Sequence, residues 1–170
     1  MMADGNGTGH DDSASAPVFE DSLDYVTVMV GEQRLGLPIG RVQDVFMASR
    51  ITPVPLAPPQ IVGLLNLRGR IVTAIGMRER LGRAAAMADG AEAGGERVAV
   101  GIEHGGESFA LIVDSVGEVA RLDRKSFEPV PIHLDRDWAR LALGIHRLDG
   151  SLLVVLDIDA VLDIDLPTAA

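Results

Sequence analysis

The sequence contains no cysteine among its 170 residues. This absence excludes disulfide bonds, thiolate nucleophiles and thiolate metal sites, and it favours a reducing compartment inside the cell. Long apolar runs are also missing, because no segment approaches the roughly 18 to 20 uninterrupted apolar residues that a membrane-spanning helix needs. The polar, acidic N-terminus lacks the basic and then apolar pattern of a secretory signal. We therefore expect a soluble, cytoplasmic protein that does not insert into a membrane.

Aromatic residues are scarce as well, at 4% of the chain, whereas apolar residues make up 47%. The interior must therefore be built mainly from valine, leucine, isoleucine and alanine, and branched side chains of this kind pack well on pleated sheets. Basic residues are missing from residues 1–24, which hold six acidic residues, and the whole chain has a net charge of −10. Because such a charge repels phosphate backbones, we expect no nucleic-acid partner.

The sequence contains none of the common motifs for metal binding, phosphate binding or nucleophilic catalysis. The four histidines share no spacing typical of metal ligands, and the acidic residues near the C-terminus lack the glycine and the spacing of a calcium loop. The sequence has neither a phosphate-binding loop nor a nucleophile elbow. We therefore predict a protein that is not an enzyme, needs no cofactor or metal, and hydrolyses no nucleotide.

The most informative feature that is present is an internal repeat. Residues 61–75 resemble residues 143–156, and equivalent positions such as Gly63 and Gly144 are separated by 81 residues. Upstream, two alternating apolar segments within residues 26–45 resemble two segments within residues 98–119. Unequal spacers between the matched pieces are typical of two related subdomains, whereas a solenoid has many equally spaced repeats.

Alternating apolar residues on either side of turn residues predict four hairpins, at 26–37, 61–75, 98–113 and 143–156. A helical turn or two is expected after the second and the fourth hairpin, and Asp157 can cap the latter. We predict an all-β fold. It consists of two pseudo-repeated, five-stranded barrels of the Src-homology-like kind, packed around a shared hydrophobic core with short helices.

Composition also predicts the domain boundaries. Residues 1–22 have almost nothing to bury, so we expect a disordered acidic tail, for which a solvated leader is favoured over the alternative of a partner-binding segment. The folded domain should span residues 23–165, with a first barrel half at about 23–82, a second at 98–165, and strands free to cross between barrels. Residues 83–97 mix alanine and glycine without periodicity, which predicts a mobile loop. We expect the tail and this loop to be dispensable for folding, which hydrogen exchange would test.

Two segments between the hairpins lack strand patterns. Apolar residues recur at three- and four-residue steps after Pro38, which predicts a short helix that contains Ile39, Val42, Val45 and Phe46. Four prolines between positions 53 and 59 then predict an extended connector. Residues 120–143 form a longer and more charged second connector.

Arg68 occupies a turn position where the second copy has Asp149, the usual turn residue. One interpretation is an exposed turn arginine. The other is a guanidinium that reaches carbonyl groups or a carboxylate of the other half and fixes the relative orientation of the two barrels.

Four stretches together resemble a known family: Gly63-Leu-Leu-Asn-Leu-Arg-Gly-Arg-Ile-Val, the preceding Thr-Pro-Val-Pro, Ala110-Leu-Ile-Val-Asp-Ser-Val-Gly-Glu-Val, and Leu148-Asp-Gly-Ser-Leu-Leu-Val-Val-Leu-Asp-Ile-Asp. The chain resembles CheW-type chemotaxis coupling proteins from about Tyr25 to Leu162. The resemblance implies a non-enzymatic adaptor that couples the cytoplasmic tips of chemoreceptors, the methyl-accepting chemotaxis proteins, to the regulatory domain of the histidine kinase CheA. It also implies a cytoplasmic location at chemoreceptor arrays.

The resemblance further implies a partner-binding surface on the first barrel, formed by Ile39, Val42, Asp44, Val45 and Gly63, with Arg68 in a structural or partner-binding role. Gly76-Met77 departs from the Asp-Leu of most family members, which affects capping at this position. Two alternatives stay open: a small-molecule-binding barrel that uses the groove between the halves, and a scaffold for a different receptor–kinase pathway. An apolar groove would favour a docked helix, and converging polar groups would favour a small ligand.

Overall fold

The computed structural model describes residues 22–81 and 97–164. Within these ranges the chain forms eleven strands, three short α-helices and two 3₁₀ turns. The elements are β1 (Ser22–Val30), β2 (Gln33–Pro38), a 3₁₀ turn (Ile39–Arg41), β3 (Val42–Ala48), β4 (Ile61–Leu67), β5 (Arg70–Gly76), α1 (Met77–Arg80), β6 (Arg97–His104), β7 (Glu107–Val113), β8 (Ser115–Asp123), a 3₁₀ turn (Arg124–Ser126), β9 (Phe127–Glu128), α2 (Arg136–Leu141), β10 (Ala142–Leu148), β11 (Ser151–Leu156) and α3 (Ile158–Leu162).

The strands form two sheets that define the two barrels, so the all-β prediction is confirmed. The first barrel has the strand order β3-β6-β7-β5-β4, and the second has the order β8-β1-β2-β11-β10-β9. The first hairpin of each sequence half therefore lies in the barrel that contains the last hairpin of the other half. Strands β1 and β2 pair with β8 and β11 of the second half, and β6 and β7 pair with β3 and β5 of the first half. This exchange makes neither half of the sequence a barrel by itself.

The registers of the central parallel pairs support duplication. Ala74 on β5 pairs with Ala110 on β7, and Val155 on β11 pairs with Gly36 on β2. The repeat offset is 81 residues for the closing hairpins and 74 for the opening hairpins. By these offsets Ala74 is equivalent to Val155 (74 + 81) and Ala110 is equivalent to Gly36 (110 − 74), so the two pairs are equivalent. Two copies of one supersecondary unit have therefore kept the same hydrogen-bonding partners.

The core has three parts. A large cluster between the two barrels draws on both halves of the chain, with residues such as Val28, Leu111 and Leu156 at 1% exposure or less. A smaller alanine-rich cluster fills the first barrel, and a third cluster around Tyr25 and Leu153 fills the second. The shared core holds the barrels together because it buries apolar surface from both. Each Å² of apolar surface that is removed from water contributes about 25 cal/mol to the free energy of folding.

The two Pro-Val-Pro segments are equivalent, although only the first stood out in the sequence. Thr52 forms a bridge with Leu64 on β4, and Glu128 pairs in the same way with Ile145 on β10. Each is followed by Pro-Val-Pro and then by an aliphatic residue, Leu56 or Ile132. The repeat therefore extends into the connectors.

The predicted helix around Val42 is wrong. Only Ile39–Arg41 forms a 3₁₀ turn, and residues from Val42 onward form β3, which pairs with β6. Burial along β3 alternates, but the inward-facing residues include Asp44 and the outward-facing ones include Val45. Because a polar residue faces inward and apolar residues face outward, β3 lacks the alternation of apolar and polar residues from which a strand is predicted.

The second connector is also more ordered than its sequence indicated. The second half of β8, strand β9 and helix α2 all lie within residues 120–143. The side chain of Asp135 caps α2 by accepting a hydrogen bond from the backbone N–H of Asp137, and Trp138 is buried in the shared core. The charged residues of this segment therefore cover a helix that is anchored by one aromatic side chain.

The predicted capping after the closing hairpins agrees with the structure. The Asp157 carboxylate accepts a hydrogen bond from the backbone N–H of Ala160 at the start of α3, whereas Gly76 precedes α1 without a side-chain cap. The expectations for residues 1–22 and 83–97 lie outside the described residues, except that Ser22 begins β1 and Arg97 begins β6. None of the helices described is long and apolar enough to cross a bilayer.

Candidate partner-binding surfaces

The outer face of β3 and the 3₁₀ turn that precedes it carry an exposed apolar row. Ile39 is 44% exposed, Val45 46% and Met47 53%. Val45 lies directly opposite Val100 on β6, and Val100 belongs to the shared core. Because residues that are paired across two strands share a face, the row continues the apolar surface of the interbarrel core out to solvent. We name Ile39, Val45 and Met47 the β3 row.

Val42 and Gly63 are less accessible than the resemblance implied. Val42 is half-buried and packs against the shared core. Gly63 is buried, and a Cβ atom at this position would meet the carbonyl oxygen of Thr52 and would lie 2.8 Å from Cγ2 of Ile51. The absence of a side chain at Gly63 therefore lets the proline-rich connector lie directly against β4, and Gly144 does the same for β9.

Asp44 and Arg68 lie close together on the first barrel. Arg68 is in the hairpin turn between β4 and β5, with a positive φ of 54° and a side chain that is 80% exposed. Its Nη2 atom is 3.9 Å from Oδ2 of Asp44, a carboxylate packed over Gly101. The ion pair lies within one barrel, so Arg68 is an exposed turn arginine with a weak charge contact and makes no described contact with the other half.

Arg80, and not Arg68, is the arginine whose guanidinium hydrogen-bonds to backbone carbonyl groups of the other half. Its guanidinium donates hydrogen bonds to the carbonyl oxygens of Val161 (2.9 Å), Ala160 (2.9 Å) and Asp163 (3.3 Å) at the end of α3. Partial burial lowers the pKa of Arg80, and the nearby Arg140 lowers it further. The guanidinium thus donates to carbonyl groups in the last turn of a helix, where Ala160 also accepts a backbone hydrogen bond from Asp163. Sequence reasoning missed it because its acceptors are backbone atoms about 80 residues away.

We expect Arg80→Ala to lower the free energy of unfolding by about 2 kcal/mol, since hydrogen bonds from a charged donor are lost. Amide hydrogen exchange should accelerate in α3 more than in β1. Arg80→Lys is the matched control: it keeps the charge but lacks the forked geometry, so it should recover only part of the loss. Equal protection of α3 in the wild type and in Arg80→Ala would contradict this role.

A polar cluster also bridges the barrels beside the β3 row. Arg41 Nη1 donates a hydrogen bond to Oδ1 of Asp159 on α3 (3.1 Å), and Arg41 Nη2 is 3.2 Å from Nδ1 of His104. On β3 itself, Gln43 donates to Glu103 (2.6 Å). Arg41, His104 and Asp159 are engaged with one another, and Gln43 is engaged with Glu103, so these polar residues form a rim beside the apolar row.

A buried chain of three hydrogen-bonded polar side chains lies in the second barrel. His146 is fully buried, with Nε2 3.0 Å from the Tyr25 hydroxyl and Nδ1 2.8 Å from the Ser126 hydroxyl. The equivalent of His146 in the first barrel is Leu65. Burial lowers the pKa of His146, although Glu128 opposes this, and burial raises the pKa of Tyr25. The imidazole is therefore neutral and serves as a structural core group.

This lowered pKa predicts acid-sensitive stability. Below about pH 6.5 the unfolded chain binds a proton at His146, while the folded protein resists it, so the free energy of unfolding should fall as the pH decreases towards 5. Urea titrations at pH 7.5, 6.5 and 5.5 would measure the slope. His146→Gln should flatten it because glutamine does not titrate, whereas the exposed control His133→Gln should retain the wild-type slope. An unchanged slope in His146→Gln would refute the assignment.

The described residues contain no cluster of three or more histidine, aspartate or glutamate side chains that could hold a metal ion. Two further exposed side chains were missed by sequence reasoning. Leu56 and Ile132, at the equivalent tips of the two Pro-Val-Pro segments, are 99% and 102% exposed. A comparison of the two connectors for the repeated Pro-Val-Pro would have found them. The exposed apolar row and the two exposed tips are features that suit protein partners.

Comparison with known proteins agrees with this description. The CheW-like domain model matches residues 24–165. The chemotaxis protein CheW of Rhizobium meliloti is 25% identical over 139 residues, which cover 81% of this chain and 86% of the relative. The corresponding protein of Treponema pallidum is 27% identical over 142 residues, covering 83% and 82%. The crystal structure of the scaffolding protein TtCheW from Thermoanaerobacter tengcongensis has a TM-score of 0.68 at 27% identity, covering 85% of this chain and 94% of its own.

The fold and the accessible surface define a two-barrel β-protein in which strands are exchanged around a shared core. Among proteins of this class, the match over residues 24–165 identifies the family. The chain belongs to the CheW-like domain family.

Proposed function

We propose that this protein is a non-enzymatic adaptor that couples chemoreceptors to the histidine kinase CheA, in the cytoplasm at chemoreceptor arrays. The observation that carries the proposal is the β3 row, an exposed apolar surface that continues the interbarrel core. Membership of the CheW-like family supports it, since the named relatives are chemotaxis proteins and the similar solved structure is a scaffolding protein.

The β3 row suits the receptor. The proposal takes the bound receptor segment to be an amphipathic helix, which binds by placing its apolar face in an apolar groove. The row provides Ile39, Val45 and Met47 as contacts, with the polar cluster of Arg41 and Asp159 at its rim. An apolar centre with a polar rim is the usual composition of a specific interface.

Pseudo-symmetry supports a second partner. A bridging protein needs two surfaces that can be occupied together, and the exposed tips Leu56 and Ile132 lie on different barrels. We assign the regulatory domain of CheA to a surface that includes one of these tips. The receptor and the kinase then bind without competing.

Reconstitution tests the proposal directly. The purified protein, a receptor signalling-tip fragment and the CheA regulatory domain should form a ternary complex in size-exclusion chromatography, and each pair should bind separately. Competition between the two partners for one surface would contradict the bridging role. Nucleotide hydrolysis that survives purification and is abolished by a point mutation would contradict the non-enzymatic role.

A further inference from the structure

A cavity of about 350 Å³ opens at the end of the second barrel where β2 and β8 begin. Thr27 and Met29 line it, and by strand alternation they share a face with Tyr25, which packs in the core cluster of this barrel. The cavity is therefore the mouth of the second barrel. Its volume is within the roughly 300 to 1,000 Å³ of sites for small ligands, and barrel mouths are common places for such sites. We call it the second-barrel cavity.

The second-barrel cavity is lined by two charges of opposite sign, Arg34 on β2 and Glu118 on β8. Strand β1 lies between these strands, so they are separated by roughly 10 Å across the sheet. Neither side chain has a hydrogen-bond or ion-pair partner within residues 22–81 and 97–164. Met29 and Ala120 add apolar surface, as does Val119, which is 54% exposed. The cavity therefore presents a cation, an anion and an apolar wall.

The internal repeat provides a comparison, because equivalent positions form a smaller cavity of about 180 Å³ in the first barrel. There the carboxylate of Asp44, the equivalent of Glu118, lies over Gly101 and 3.9 Å from Arg68. In the second barrel Thr27 takes the place of Gly101, and its hydroxyl donates a hydrogen bond of 2.6 Å to the Glu118 carbonyl oxygen. The acid of the first mouth is thus held beside an arginine, whereas the acid of the second is available to a ligand.

This difference arises at a β-bulge that both copies have kept. The register shifts between Val42 and Asp44 where β3 pairs with β6, and β8 has the equivalent shift where it pairs with β1. A bulge redirects the side chains of the inserted residues and is over-represented next to functional sites. The two bulges therefore place an acidic residue at each mouth, in two different environments.

We propose that the second-barrel cavity binds a small zwitterion of the amino-acid type, with its carboxylate at Arg34, its ammonium group at Glu118 and its apolar part against Met29 and Val119. A guanidinium can donate two parallel hydrogen bonds to a carboxylate, and a carboxylate accepts hydrogen bonds from an ammonium group. A ligand with a single charge would leave one charge of the cavity unmatched. Free amino acids and dipeptides share the required chemistry. This inference does not depend on the proposed adaptor function.

Amide NMR titration of the full chain tests the proposal, with L-leucine and glycyl-L-leucine as probes. At least one probe should cause saturable shifts in the amide signals of residues 115–120, and the probe that saturates at the lower concentration distinguishes a free amino acid from a dipeptide. Isocaproate lacks the ammonium group of leucine, and isoamylamine lacks its carboxylate. Each should bind about tenfold more weakly than leucine or the dipeptide, since one charge-assisted hydrogen bond is lost.

Two variants give an independent readout. Arg34→Gln and Glu118→Gln should each weaken binding of the better probe about tenfold and leave amide signals far from the cavity unchanged, because both side chains are exposed. The matched control Glu107→Gln removes an exposed carboxylate from β7 of the first barrel and should bind the probe as the wild type does. The proposal is overturned if neither probe causes saturable shifts, if isocaproate binds as tightly as the better probe, or if either cavity variant keeps wild-type affinity.

Discussion

Gly63→Ala should lower the free energy of unfolding by about 3 to 5 kcal/mol, out of the roughly 5 to 15 kcal/mol of a typical domain. The new Cβ atom would meet the Thr52 carbonyl oxygen and would lie 2.7 Å from the Thr52 carbonyl carbon. Thr52 cannot easily move away because it exchanges two backbone hydrogen bonds with Leu64, of 2.7 and 2.8 Å. Overpacking costs about 1 to 3 kcal/mol, and the φ of 155° adds roughly 1 to 3 kcal/mol for any residue with a side chain.

Thermal melting would measure this effect, with an expected decrease in Tm of roughly 6 to 20 °C for a chain of this size. Gly40→Ala is the matched control, since a Cβ atom at Gly40 meets nothing within 4 Å, and its stability should change by less than about 0.5 kcal/mol. Gly144→Ala should also lower the stability, because its Cβ atom would meet Phe127 and the carbonyl oxygen of Glu128, but by less, since Gly144 does not share the positive φ of Gly63. A normal melting temperature for Gly63→Ala would show that the connector is not held against β4.

The hairpins could be predicted from the sequence because turn chemistry is local. Asp149-Gly150 and Arg68-Gly69 are adjacent residues, and both glycines have positive φ values of about 80°. The exchange of opening hairpins between barrels depends instead on parallel pairing between β2 and β11, which lie more than 100 residues apart. Pattern reasoning leaves such long-range partners open, since any exposed strand edge could accept either hairpin.

The residues that the resemblance placed on the partner surface differ in exposure, and their role in binding stays a prediction. Ile39 and Val45 are exposed where the resemblance placed the partner surface, whereas Val42 packs on the shared core and Gly63 is buried. The error arose at β3, where a bulge between Val42 and Asp44 shifts the register with β6. Because of the bulge, Val42 lies opposite Ile102 and Val45 lies opposite Val100, so two residues on the same side of the strand are three positions apart, as they would be in a helix.

The buried groups escaped prediction for a different reason. Tyr25 and His146 are 121 residues apart, and neither lies in a sequence motif from which their hydrogen bond could be predicted. In the duplicated sequence, however, the place of His146 is taken by Leu65, and that contrast is visible without a structure. When one copy of a repeat has a polar residue at a position where the other copy has an apolar residue, the difference indicates a candidate buried polar group.

The strongest test of the docking surface is Val45→Lys. Val45 is 46% exposed, so a lysine at this position can place its charge in water, and the free energy of unfolding should change by less than about 1 kcal/mol. Val42→Lys is less informative because Val42 packs against the shared core, and a charge there would also lower stability. An exposed site therefore separates binding from folding better than a half-buried one.

Binding of a receptor signalling fragment should weaken about thirtyfold in Val45→Lys, because an apolar anchor at an interface is commonly worth about 2 kcal/mol. Val119→Lys is the matched control: Val119 is the repeat equivalent on β8 and is 54% exposed, so the same change is made on the other barrel. Calorimetric titration of both variants should show a loss for Val45→Lys alone. Equal losses in both would indicate that the receptor uses both barrels, and wild-type affinity in Val45→Lys would place the receptor elsewhere than on the β3 row.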